Sequence, residues 1–302
     1  MRHIMNDCLR TMQSPIRFVM YYIPRALVNI APERQAEFEK EFADFSLEYL
    51  DSDEFICDVD VPSKHIRLSR QVAELLWAAS FGYMTFYTKV VQANKPTTKQ
   101  LFDLTKNHEV AQAMKLLKWA YENWLNPSKP IPWPDGLPKP VGHPQKGTME
   151  NVADELSLCA LAAYLHHELA HIKLNHKSSG SIEDERDADY AMADWILNHN
   201  LALTDDRFIK RALGIAIAME ALTAYGIYTG KLGGTTHPYS YDRLINTVSR
   251  YVTDPDHVVW AVLVFTLKLH LDNRKIETPD VVYRDFKECV NAYADILSRP
   301  IQ

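Results

Sequence analysis

Two histidines four residues apart, His167 and His171, enclose Glu168 in a His-Glu-Leu-Ala-His run. On an α-helix, residues at i and i+4 share a face one turn apart, so both imidazoles can grip one ion. Glu168 is rotated about 100° from the first histidine, which sets it beside such an ion and within reach of a water. The preceding Leu156–Leu165 is almost wholly apolar or small, so the helix is expected to be buried. Histidines and a glutamate buried without partners are costly, and a bound cation is the simplest remedy. A hydrolytic zinc needs a third protein ligand and an open position. Downstream of Gly180, Ser181 reads as a helix N-cap, and Glu183 and Asp184 crowd a first turn whose dipole favours acids. Ile182, Glu185, Asp189, Met192 and Ile196 fall on one stripe at spacings of three and four, so two acids interrupt an otherwise apolar, inward face. Glu185 is therefore the candidate third ligand, with Zn2+ the expected cofactor. Asp189, one turn on, is placed to accept the free N–H of a ligand histidine and fix its tautomer. Glu183, Asp184, Asp187 and Asp194 project elsewhere and read as solvated. His176 has the wrong offset for a ligand and reads as a helix-end residue set against the dipole.

These groups need rigid elements to hold them. From Asn151 onward the chain reads as almost wholly helical, with breaks near 177–181, 200–204, 230–236, 253–255 and 273–279. Earlier, Phe55–Asp60 and His65–Leu68 flank Val61–Lys64 and predict a β-hairpin. Val72–Val91 predicts a buried helix, and further helical patterns cover 99–106 and 109–125. Seven prolines between Pro127 and Pro144 exclude helix and central strand there. That segment is expected to be an extended loop, either a connector between domains or, as the stretch before the active-site helix, a candidate cover for the cleft. The expected architecture is mostly α, of α+β class: an N-terminal accessory region over 1–148 with a small β-hairpin or sheet, then a zincin-like helical catalytic core over 149–302.

A composition of 47% hydrophobic and 24% charged residues suits a soluble globular protein with a sizeable core. A net charge of −6, with no basic block, argues against nucleic acid as the main partner. No apolar stretch reaches the roughly 20 residues of a membrane span, and none near the start reads as a secretory core. Cys8, Cys57, Cys159 and Cys289 form no C-x-x-C pair, so a reducing compartment, the cytoplasm, is expected.

Glu185-Arg186-Asp187-Ala188-Asp189 after the His-Glu-x-x-His run resembles the E-x-x-A-D helix of gluzincin-type zinc metallopeptidases, most closely the HtpX and CAAX-prenyl endopeptidase group. His237-Pro238-Tyr239-Ser240-Tyr241-Asp242-Arg243 is similar to that group's H-P-x-x-x-x-R segment. The resemblance implies that His237 hydrogen-bonds the transition state, with Tyr239 or Tyr241 as alternates, and that Arg243 braces the site. Leu174 and Lys177 depart from the metzincin pattern. Length, the setting of the zinc motif and the α-rich C-terminal half look more like the phage-exclusion peptidase family of Lit. That likeness implies a cytoplasmic bacterial protease that attacks a specific host protein during phage infection, elongation factor Tu in the case of Lit. The compact spacing also resembles the ImmA/IrrE regulators, which implies repressor cleavage as an alternative. Two further classes stay open on the residues alone. One is a non-catalytic metal-dependent sensor or binding module. The other is an iron oxygenase with two histidines and a carboxylate, which has no need of the intervening Glu168.

Overall fold

The computed structural model describes residues 7–91, 107–177, 180–198, 200–229, 233 and 238–298. Four short α-helices open the described residues: α1 (Asp7–Thr11), α2 (Arg17–Met20), α3 (Ile23–Asn29) and α4 (Gln35–Glu41). Strands β1 (Ser46–Leu50), β2 (Cys57–Asp60) and β3 (His65–Ser69) follow. The remaining helices are α5 (Arg70–Phe86), α6 (His108–Leu125), α7 (Met149–Leu174), α8 (Ile182–Leu197), α9 (Asp206–Thr229), α10 (Ser240–Ser249), α11 (Val258–Asn273) and α12 (Phe286–Ser298). The molecule is thus mostly α with one small sheet, as the sequence predicted.

The predicted hairpin is present as β2 and β3, with Val59 opposite Ile66. The sheet is wider than expected, because β1 pairs in parallel with β3, Leu47 opposite Ile66, giving the order β1-β3-β2. Ile66 and Leu68 are fully buried and anchor the sheet's inner face. The expected helix over 72–91 is α5, whose last turn widens to π geometry over Tyr87–Val91. The helix expected over 99–106 lies outside the described residues.

Helix α7 sits at the centre, packed by α3, α5, α8, α9 and β2. A helix apolar on every side must be buried, and Ala160 to Leu165 is fully enclosed. Small residues set the approach of its neighbours. A Cβ at Gly214 of α9 would lie 2.4 Å from the Cys159 Cβ, so only glycine lets α9 pack this closely. Buried residues from both sides of position 148 contribute to a single hydrophobic cluster.

Both ends of α7 are capped by chemistry visible in the chain. Thr148 accepts a hydrogen bond from the Asn151 N–H at the start. At the other end Asn175 takes the left-handed conformation, φ 54°. The Asn175 N–H then bonds the Ile172 carbonyl at 3.2 Å and the His176 N–H bonds the His171 carbonyl at 3.1 Å. These two bonds define a Schellman motif. Its consequence is that His176 folds back beside His171 instead of continuing away from the helix.

Candidate metal centre

His167 and His171 project from the last two turns of α7, and Glu185 from the first turn of α8, which Ser181 caps by accepting from the Asp184 N–H at 3.0 Å. The two imidazole Nε2 atoms are 3.0 Å apart. Glu185 Oε2 lies 3.5 Å from His167 Nε2 and its Oε1 lies 3.6 Å from His171 Nε2. One ligand atom from each of the three residues falls within 4.8 Å of the others, all three residues being buried, and this group could hold a metal ion.

The outward-facing nitrogens have different partners. His167 Nδ1 is 2.9 Å from Asp189 Oδ1, at hydrogen-bond distance but off the line of a good hydrogen bond. Asp189 is gripped in turn by Arg243, Nε to Oδ2 and Nη2 to Oδ1 both at 2.7 Å. Arg243 also places Nη1 3.3 Å from Glu185 Oε2, so one guanidinium from α10 ties the two acids of α8 together. His171 Nδ1 instead meets His176 Nδ1 at 2.8 Å, and His176 Nε2 faces Asp184 Oδ1 at 3.7 Å.

The electrostatics favour a positive charge at this point. Burial would lower the pKa of His167, but Asp189 and Glu185 outweigh it and lift the imidazole to about 10. Burial, reinforced by the His167 charge, brings His171 down to about 4, which makes it the neutral member of the pair. Asp189 would be raised by burial, yet Arg243 and His167 hold it at about 2. Burial pushes Glu168 up to about 7, with Glu185 and Asp58 adding to the rise and His167 opposing it. His166, the third histidine of the run, faces away. Its Nε2 lies 2.9 Å from the Leu27 carbonyl oxygen, its ring stacks on Trp195, and burial takes it down to about 4.

The centre opens into a cleft of about 270 Å³. His167, Glu168, His171 and Glu185 form its polar floor, with Phe55, Tyr164, Met219 and Leu222 as apolar walls and Cys57, Asp58 and Val59 of β2 along one side. β2 is an edge strand whose only strand partner among the described residues is β3. The sequence reading did not connect this hairpin with the site, because nothing in a strand's own pattern says what it packs against. The proline-rich loop is elsewhere. It has no helix or strand, as expected, but it lines a separate cleft with Arg17, Arg70 and Glu74 and does not border the metal centre. The Trp119 indole N–H and the Asn123 amide both donate to the Ile131 carbonyl, at 2.9 and 2.7 Å, and clamp the loop onto α6. Its assignment as a cover is corrected accordingly. His237 lies outside the described residues. Tyr239 and Tyr241 stack on each other, ring centroids 5.6 Å apart, and neither lines the cleft. The residues read as solvated also need revision at Asp184, which faces His176. All four cysteines are free, and no helix among the described residues is long and apolar enough to cross a membrane.

A curated relative, the cell death peptidase of Escherichia coli (strain K12), is 29% identical over 281 residues, covering 88% of this chain and 91% of the relative. No solved structure matches. The model of the peptidase U49 family matches residues 66–263, a span that takes in β3, the His167–His171 helix, Glu185 and Arg243. On that match over more than half its length, the chain belongs to the peptidase U49 family.

Proposed function

We propose that the chain is a zinc-dependent endopeptidase, with His167, His171 and Glu185 as metal ligands and Glu168 as the general base. The observation that supports it most is the convergence of two imidazoles and one carboxylate within 4.8 Å, with Glu168 beside them on the floor of an open cleft. With the His167 proton displaced on binding, the donor set of two imidazole nitrogens and one carboxylate oxygen is that of a hydrolytic zinc site. When bound, the ion would supply Lewis acidity, polarising the scissile carbonyl and acidifying the attacking water.

The chain's own groups do the remainder. Glu168 takes the water's proton and passes it to the leaving amine. A carboxylate whose surroundings raise its pKa toward neutrality is a stronger base than a solvated one. Asp189 keeps the His167 proton on Nδ1 so that Nε2 faces inward. Arg243 neutralises Asp189 and steadies Glu185. The free edge of β2 offers backbone donors and acceptors to an extended peptide, with Phe55, Met219 and Leu222 receiving its side chains. His237 remains the proposed donor to the oxyanion by resemblance. The relative's name and the Lit resemblance favour a specific intracellular target, cytoplasmic action and a role in phage defence or host-cell death, with elongation factor Tu as the first substrate to test.

The test is a comparison of newly formed protein termini in cells expressing the wild type or Glu168→Gln. The variant is expected to retain metal and to lose about 10²–10⁴-fold in cleavage rate. Full activity in Glu168→Gln with metal still bound would remove the base assignment. A cleavage-free wild type with purified elongation factor Tu would remove that substrate while leaving the peptidase reading intact.

A further inference from the structure

The histidine after the end of α7 has a geometry that a helix-end residue does not require. His176 presents Nδ1 to His171 Nδ1 at 2.8 Å, the rings crossing at 74° with centroids 4.9 Å apart. Its side chain is only 9% exposed, and its other nitrogen faces Asp184 Oδ1 at 3.7 Å. The side of approach decides what His176 can be. His171 Nε2 points toward His167 and Glu185, whereas His176 meets the opposite nitrogen, so it is not a fourth ligand of the same point.

We propose that His176 is a positioning residue for His171, holding that ring and its tautomer so that the Nε2 lone pair faces the metal point. This rests on the metal reading above. With Nε2 of His171 engaged, its proton must sit on Nδ1 and be donated outward. At 2.8 Å the receiving atom is His176 Nδ1, whose own proton is then on Nε2, the nitrogen that faces the Asp184 carboxylate. Each imidazole proton has a place, and His176 stands to His171 as Asp189 stands to His167. The Schellman turn makes it possible: the left-handed Asn175 returns residue 176 to the level of residue 171. Outer partners of ligand imidazoles matter because they fix ring orientation and raise basicity, and their loss typically costs 10–100-fold in metal affinity.

The experiment compares wild type, His176→Ala, His176→Asn and, as a ligand control, His167→Ala, all as the full chain. Zinc affinity is read by competition with a chromophoric chelator, the cobalt-substituted forms by visible absorption, and folding by thermal transition. His176→Ala is expected to lose about 10–100-fold in zinc affinity and to shift the cobalt bands. His176→Asn should recover most of both, because its amide oxygen stands where the imidazole Nδ1 stood and accepts the same proton. Unchanged affinity and spectrum in His176→Ala would overturn the proposal, as would equal impairment in the alanine and asparagine variants, which would mean packing alone. If His167→Ala bound zinc as well as the wild type, the metal reading itself would fall, an outcome distinct from indifference at position 176.

Discussion

Two imidazoles of α7, His167 and His171, stand one turn apart and are braced in opposite ways. His167 leans on a buried ionic network, Asp189 and Arg243, that joins α8 to α10. His171 leans on a second imidazole supplied by the end of its own helix. The first device is long-range: Asp189 and Arg243 are 54 residues apart and both are nearly inaccessible, so the pair fixes the relative placement of two helices as well as one ring. The second is local, made by two backbone bonds around Asn175, and buries no formal charge beside the ring. A buried charge pair is expensive to break because the survivor is left unpaired. A contact between two neutral imidazoles leaves no unpaired charge behind and has no such penalty. The comparison teaches that two imidazoles of one helical motif can be braced by a buried charge pair on one side and by a local backbone turn on the other, with unequal consequences expected for the stability of the fold.

The largest expected effect separates the two sides. Asp189→Ala should destabilise the metal-free protein by about 3 kcal/mol in urea unfolding, the lower end for a broken buried pair. The lower end applies because Glu185 still lies 3.3 Å from Arg243. His176→Ala should cost about 1 kcal/mol, the scale of one lost hydrogen bond. Equal losses in the two variants would erase the asymmetry. A smaller effect sharpens the local side. Asn175→Ala forces a Cβ-bearing residue that lacks asparagine's local hydrogen bonding into φ 54° and should cost about 1 kcal/mol. Asn175→Gly should be neutral within about 0.5 kcal/mol, since glycine adopts that conformation freely. Both are read from the thermal transition, and an alanine variant as stable as the glycine one would mean the left-handed turn is not holding His176.

The smallest effect comes from the opposite end of α7, where the Asp154 carboxylate faces an indole in place of a guanidinium. It accepts from the Trp77 indole N–H at 2.6 Å, and burial raises it to about 6. Its folded pKa thus lies above its unfolded value near 3.9. The folded state therefore holds the extra proton, and the stabilising contribution is complete below about pH 4 and lost as pH rises through about 6. Asp154→Asn keeps an acceptor for Trp77 and removes the titration. Its unfolding midpoint relative to wild type should rise between pH 4 and pH 6 and then level off. A difference that is flat with pH would contradict the raised pKa.

Much of the site is legible from spacing alone. His167, Glu168 and His171 follow from one helical turn, and Glu185 and Asp189 from two acids breaking an apolar stripe. Arg243 was implied only by resemblance, and the structure brings it onto Asp189. His176 was not legible, because its place depends on the dihedral of one residue, Asn175, and asparagine after a helix does not by itself announce a left-handed turn. β1 was missed for a related reason. Ser46–Leu50 is short, and its parallel pairing with β3 is a long-range choice that no local pattern encodes. The proline-rich loop shows the same divide: its prolines forbid helix, but only Trp119 and Asn123 decide that it lies on α6.

The most direct test of the metal centre is zinc content together with zinc-edge X-ray absorption on the purified full chain. The account predicts one zinc per chain, two imidazole nitrogens at about 2.0–2.1 Å with the remaining scatterers oxygen, and one imidazole fewer in His171→Ala. A protein that binds no stoichiometric zinc would contradict it. So would a sulfur scatterer at about 2.3 Å, which would move the ion toward Cys57 on the cleft wall.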